Sequence, residues 1–394
     1  MEHLAQILTQ LFVLLLAAKL GDELFKRLRQ PPLVGEILGG ALVGPAVLGW
    51  YTVNPETTLF AEIGVVLLLF QVGVETRLAD LLRVGGTAAR VGALGVLVPL
   101  GAGFGIGRLL GLDAAGSVFM GAALTATSVG ITSRALGALG ALASRPGRVI
   151  LGAAIIDDVL AMLILAVAVG LASGEVSVLR IGLLLVMAAA FIGVTVLAGT
   201  GILRRHRSLL TIPHFAETPF LPGMILMLGL AALAAWIGLA AIIGAFLAGM
   251  VVGESAERDA LEEEVAPVAA FFTPFFFGSI GAQIDLAGLA SLSTLGLLVA
   301  VTLAAVAAKF VGAVGGAWSL PRSERVLIGW GMVPRGEVGI VVAGLGISAG
   351  AISGSLYSVV VGMAVATTLL VPPLLPRLVR GTASAPGRAP VNDL

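Results

Sequence analysis

The chain has 394 residues, of which 58% are hydrophobic and 12% charged; its formal net charge is zero and its mean hydropathy +1.08. Soluble domains carry about 25% charged residues, so composition alone assigns the chain to a membrane. The charge balance argues against nucleic acid as a partner. The lack of cysteine excludes thiol chemistry, disulfides and cysteine–metal sites, and three histidines (His3, His206, His214) are too few for a histidine-built metal centre.

A spanning helix needs roughly 20 mostly apolar residues. Such runs predict about thirteen spans, at 5–26, 32–50, 58–77, 86–109, 115–137, 147–172, 177–203, 218–236, 237–253, 265–284, 291–316, 324–348 and 353–377. The N-terminal MEHLAQ lacks a basic region and a cleavage motif, so it reads as the start of the first span rather than a signal peptide. Gly223, Gly229 and Gly238 leave the break between the eighth and ninth spans open. ESAERDALEEE (254–264) reads as a solvated loop or a short surface helix. With the N-terminus outside, nearly all Lys and Arg of the short loops fall on the inner side, and only Arg108 and Arg180 stay outside. That bias predicts an N-out, C-in topology. The C-terminal GTASAPGRAPVNDL is polar and rich in small residues, a disordered composition.

ILGGALVG (37–44) in the second span resembles IIGAFLAG (242–249) in the ninth. The offset is seven spans, and an odd offset inverts a repeat in the bilayer. The same offset pairs the fifth span, with TATSVGIT (125–132), and the twelfth, with MVPRGEVGI (332–340). Both carry glycine and polar or helix-breaking residues mid-run. Interrupted backbone at membrane depth survives only where protein or water satisfies it. Two interrupted spans at corresponding repeat positions point to the binding site of a transporter.

Charges inside spans are rare and usually functional. The deep ones are Asp157 and Asp158 in the sixth span, Lys309 in the eleventh, and Arg335 and Glu337 in the twelfth. Adjacent helical residues point about 100° apart, so one aspartate can face a neighbouring helix while the other faces a cavity. Two carboxylates this close in poor solvent hold a proton more readily, and the same oxygens suit a hard alkali cation. One acid can therefore hold a proton or a cation but not both, which is the basis of cation/proton exchange. The hypothesis is that Asp157 pairs with Lys309 and Asp158 faces the cation. Sodium binding would break that pair and free Lys309 to give up a proton.

Each residue has a plainer reading as well. A buried Asp–Lys pair can be static glue between helices. Arg335 and Glu337 either neutralise the partial charges of the half-helix ends or contact the ion. Thr127 and Ser128 either ligate a cation or cap a half-helix. In the full ligand reading, Asp158, Asp157 and Thr127 hold the transported metal ion. The glycines of 35–44, 101–107 and 312–316 read as close-packing positions.

Taken in order, PPLVGEILGGALVGP (31–45), AEIGVVLLLFQVGVE (61–75), TATSVGIT, IIDDVL (155–160), IIGAFLAGMVVG (242–253) and VPRGEVG (333–339) resemble the second branch of the monovalent cation:proton antiporters, and bacterial NapA-type sodium/proton antiporters in particular. The resemblance runs from about residue 31 to 375. It implies an all-α polytopic homodimer with inverted repeats and two broken, crossing helices. Scaffold and dimerisation helices would occupy 1–84 and 211–288, core transport helices 85–172 and 289–380, a linker helix 173–210 and a disordered tail 381–394. It implies elevator-like alternating access with Asp158 carried across the bilayer, and the Asp–Asp pair implies electrogenic exchange.

The expectation is an electrogenic antiporter of the bacterial inner membrane that exchanges Na+ or Li+ for H+ and needs no cofactor. The alternatives are a sodium-coupled symporter of an organic solute and a potassium/proton antiporter. An intramembrane aspartyl protease is disfavoured, because adjacent acids on one helix cannot flank a peptide bond. A channel is disfavoured by the paired interruptions.

Overall fold

Lipid offers backbone N–H and C=O groups no partner, so an apolar chain of this length closes its hydrogen bonds within helices. The computed structural model describes residues 2–28, 30–76, 78–174, 178–199, 218–255, 257–283 and 291–383, and these residues are helical with short connections. In chain order the helices are α1 (Glu2–Arg27), α2 (Pro32–Val43), α3 (Pro55–Glu75), α4 (Leu78–Leu109), α5 (Ala114–Thr125), α6 (Val129–Gly137) and α7 (Arg145–Ser173). There follow α8 (Val178–Val194), which ends in a π-turn at Thr195–Gly199, then α9 (Phe220–Trp236), α10 (Ala241–Val252) and α11 (Arg258–Ala282). The last are α12 (Leu292–Gly316), α13 (Arg322–Gly331), α14 (Glu337–Ser348), α15 (Gly354–Leu370) and α16 (Leu375–Ala383).

Among the described residues, seven helical segments are long and apolar enough to cross a bilayer: α1, α3, α4, α5 with α6, α7, α11 and α12. A further pair, α15 and α16, bends by 47° between them. The shorter apolar helices are α2, α8, α9, α10 and α14. Helix starts carry local caps. Asn54 accepts from Thr57 N and Thr57 Oγ1 accepts from Asn54 N, a reciprocal capping box before α3. Asp113, Ser144, Ser291 and Ser353 cap α5, α7, α12 and α15 one way only, each side chain accepting a backbone N–H of the first turn.

The structure changes two sequence expectations, at 254–264 and at the start of the tail, and settles a point left open. Arg258–Glu264 is not a loop but the opening of α11, because Leu261 and Val265, one turn apart, are fully buried in an apolar cluster. Arg258 also donates to Glu75 O at 3.0 Å and closes the end of α3. The break left open between the eighth and ninth spans falls at 237–240, where Gly238 takes φ +86°, a left-handed conformation suited to glycine. Residues 381–383 complete α16. The rest of the expected tail, residues 200–210 of the expected linker, and His206 and His214 lie outside the described residues.

Contacts divide the chain into two units. Met1–Leu28, Gly35–Arg83 and Glu175–Ile284 form the first; Arg29–Val34, Val84–Gly174 and Asp285–Leu394 form the second. In the first unit α3 packs against both α10 and α11. A Cβ on Gly73 would strike Phe246 O, and one on Gly249 would strike Phe70 O, so this crossing requires two glycines. In the second unit α5 packs on α7 and α14, and α12 packs on α13 and α15. Phe119, Met120 and Leu124 of α5, Val301 and Ala305 of α12, and Val359, Val360 and Met363 of α15 share one buried cluster there. Helix α4 closes on α12 in the same unit, where a Cβ on Gly312 would meet Leu94 O.

Candidate functional site

The site lies within the second unit, where α5 stops at Thr125, α6 starts at Val129, α13 stops at Gly331 and α14 starts at Glu337. The residues between, 126–128 and 332–336, are non-helical and touch one another. Ser128 N donates to Pro334 O at 2.9 Å. Thr132 Oγ1 donates to Gly331 O at 2.7 Å, and Thr127 Oγ1 to Met332 O at 3.4 Å. Pro334 supplies no N–H, which helps end α13 there. Gly336 is required by the crossing itself, since a Cβ on it would stand 2.6 Å from Ser128 Oγ. Neither Ser128, before α6, nor Gly336, before α14, makes a side-chain cap bond to the helix it opens. The backbone N–H groups at both starts therefore leave partial positive charge at the crossing.

Each half-helix carbonyl end meets a buried cation. Lys309 of α12, with no exposed surface, donates to Thr125 O at 2.7 Å, the last carbonyl of α5. Arg335, equally buried, donates to Val333 O at 2.7 Å and to Met332 O at 3.4 Å, just past the end of α13. A cation at a helix C-terminus compensates its partial negative charge, and here lipid supplies no water to do so.

The acids face these cations from α7. Asp157 is fully buried and Asp158 is 3% exposed. Lys309 Nζ stands 2.6 Å from Asp157 Oδ1, so one ammonium bridges an acid of α7 and the carbonyl end of α5. The charges of Asp157, Asp158 and Arg335 all act on Lys309, with Asp157 the strongest. Asp157 Oδ2 is buried and has no hydrogen-bond partner among the described residues. A carboxylate oxygen in that condition is costly and chemically competent to take a proton or an alkali ion.

The structure thus brings Asp157, Lys309 and the two breaks together and puts Asp158 next to them in the chain. Thr127 and Ser128 lie in the first break, 3% and 1% exposed, and both join the crossing. Arg335 lies in the second break. Glu337 begins α14, but its side chain lies outside the described residues. Sequence reasoning missed Thr132, and it missed Thr367 and Thr368 of α15. Thr367 Oγ1 accepts from Arg335 N at 3.1 Å, and Thr368 Oγ1 donates to Arg335 O. The only trace of them in the sequence is a polar pair inside the otherwise apolar run VATTLL.

Comparison with known proteins adds to this geometry. Residues 11–381 match the family described as sodium/hydrogen exchanger, transmembrane. The high-affinity Na+/H+ antiporter NhaS3 of Synechocystis is 35% identical over 96% of this chain and 91% of its own. The Na+/H+–K+ antiporter GerN of Bacillus cereus is 33% identical over 93% of this chain and 94% of its own. The solved structure of the sodium proton antiporter MjNhaP1 from Methanocaldococcus jannaschii shares the fold with a TM-score of 0.70 at 18% identity, covering 96% of this chain and 98% of that one.

Proposed function

The chain belongs to the sodium/hydrogen exchanger family, and on that premise we propose that it is an antiporter exchanging Na+, and Li+ with it, for H+. One observation carries the reading: a buried acid pair stands at the meeting of two broken helices, with one acid held by Lys309 and a carboxylate oxygen of that acid left without a hydrogen-bond partner among the described residues. Na+ and H+ compete for Asp158 and Asp157. Oxygens of Thr127 and of the first break are candidates to complete the ion's coordination.

The steps follow from charge. The cycle begins with Asp158 protonated and Asp157 ionised against Lys309. A sodium ion that takes Asp158 displaces its proton, draws on Asp157 as well and loosens the hold of Asp157 on Lys309. The freed ammonium then loses a second proton, so two protons, one from Asp158 and one from Lys309, leave for one sodium ion that enters, and each cycle moves net charge. Electrogenic exchange is therefore the proposed mode. The division of the chain into two units supports an elevator-like alternating access in which the second unit carries the aspartates and the first serves as scaffold and homodimer surface. Thirteen spans, N-out and C-in, in a bacterial inner membrane complete the proposal, with the shorter helices α2, α8, α9, α10 and α14 counted among the spans.

A second cargo has one observation in its favour: the 33%-identical GerN is named a Na+/H+–K+ antiporter. Potassium is therefore tested beside sodium. The full chain is reconstituted in proteoliposomes with an imposed pH gradient, and Na+, Li+ and K+ are added separately. Wild-type protein dissipates the gradient with the transported ion, and Asp158→Asn does not. Full sodium-driven proton flux in Asp158→Asn overturns the assignment.

A further inference from the structure

The second break must satisfy its backbone groups without a helix to do so. Gly331 O and Met332 O receive hydroxyls from Thr132 and Thr127. Pro334 O receives Ser128 N, and Val333 O receives the Arg335 guanidinium. All these donors come from the two broken spans themselves. Arg335 N and Arg335 O are different: both are held from α15, by Thr367 and Thr368. Both threonines are fully buried.

We infer that Thr367 and Thr368 are positioning residues for the ion site: their hydroxyls grip the N–H and C=O of Arg335 and so set where the second break crosses the first. The inference rests on the exchange reading above. Buried helical threonines ordinarily return their hydroxyl to their own helix's carbonyls. Thr367 does so with its proton, to Ala364 O at 2.9 Å, and its oxygen is then turned to accept from Arg335 N. Thr368 gives its proton away to Arg335 O, on a different element. The platform behind them is fixed, because Val359, Val360 and Met363 of α15 share the buried cluster with Leu124 of α5 and Ala305 of α12. Those two helices carry Thr125 and Lys309. Arg335 closes the circuit by donating to Ala305 O at 3.4 Å, one helical turn before Lys309. The grip thus ties the second break to the frame that holds Lys309 against Asp157, and Arg335 lies close enough for its charge to act on Asp157.

The test is Na+-driven proton flux in proteoliposomes of the full chain carrying Thr367→Val, Thr368→Val, Thr367→Ser or Thr368→Ser. Valine keeps the shape and removes the hydroxyl. Each Val variant raises the apparent KM for Na+ about threefold or more, the scale of one interhelical hydrogen bond in a membrane. Because Na+ and H+ compete, the flux profile at fixed Na+ moves to higher pH by about half a unit. Serine restores the wild-type KM at either position. A merely structural pair would lower Vmax, through fewer folded molecules, and leave KM and the pH profile in place. Unchanged KM and pH profile in the Val variants overturns the inference, as does a Ser variant impaired as much as Val. Should Val prevent folding, Ala is read in its place, and loss of folded protein in every hydroxyl-less variant also overturns it. Wild-type vesicles with no exchange of Na+, Li+ or K+ for H+ would instead be a failure of the exchange reading.

Discussion

Replacing Lys309 with glutamine removes the ammonium that stands 2.6 Å from Asp157 Oδ1 and retracts the donor that reaches Thr125 O at 2.7 Å. At a separation of 2.6 Å the attraction is about 6 kcal/mol for an effective dielectric constant of about 20. Desolvation of both ions offsets much of it, so the intact pair adds little beyond an apolar pair of the same size. Removing one partner is another matter. It leaves a fully buried charge uncompensated and costs about 3–5 kcal/mol. Asp157→Asn strands Lys309 in the same way, whereas the double variant carries neither charge. The expected result is a double-mutant coupling of about 3 kcal/mol, with Asp157→Asn/Lys309→Gln more stable than the two single effects predict when summed. Unfolding of the four proteins in one detergent measures it. Additivity within about 0.5 kcal/mol refutes the reasoning. The same variant has a transport readout. Lys309→Gln retains sodium-driven proton flux but loses its dependence on membrane potential, because the second proton has no carrier. Wild-type dependence on potential in Lys309→Gln refutes the lysine's part in proton carriage.

Two further outcomes follow from the packing. Gly336→Ala forces a Cβ to 2.6 Å from Ser128 Oγ and 2.7 Å from Ser128 Cβ and separates the crossing breaks; overpacking of this kind costs about 1–3 kcal/mol, and a second change, Ser128→Gly, which removes both atoms, recovers part of the thermal stability, whereas Ser128→Ala, which keeps the Cβ, does not. Gly249→Ala drives a Cβ into Phe70 O and lowers the yield of folded protein, while Gly229→Ala on α9, with open space around it, leaves yield and unfolding midpoint unchanged or slightly raised. Equal yields for the Gly249 and Gly229 variants would show that α3 and α10 do not need their close approach.

How much of this was legible in the sequence differs from residue to residue. The membrane class and helical architecture follow from composition and from continuous apolar runs of spanning length, because in lipid such a run bonds its backbone within itself only as a helix, whereas a barrel strand is shorter and alternates. The two interruptions were legible as well: TATS and VPRG put hydroxyls, glycine and proline where an unbroken span would have aliphatic side chains. A buried lysine needs an acid, so Lys309 had three deep acids to choose among, Asp157, Asp158 and Glu337, and the adjacent aspartates were the pair favoured.

The choice of Asp157, the reach of Lys309 to Thr125 O and the hold of Thr367 and Thr368 on Arg335 were decided only by tertiary structure. Chain separations of 152, 184, 32 and 33 residues divide these partners, and no local pattern specifies them. A helix in lipid is apolar on the side facing hydrocarbon and on the side facing protein, so its sequence hides which face meets a neighbour. A soluble helix announces its buried face by contrast with water. Here that contrast is missing, and three-dimensional packing alone turned two ordinary-looking threonines toward the break.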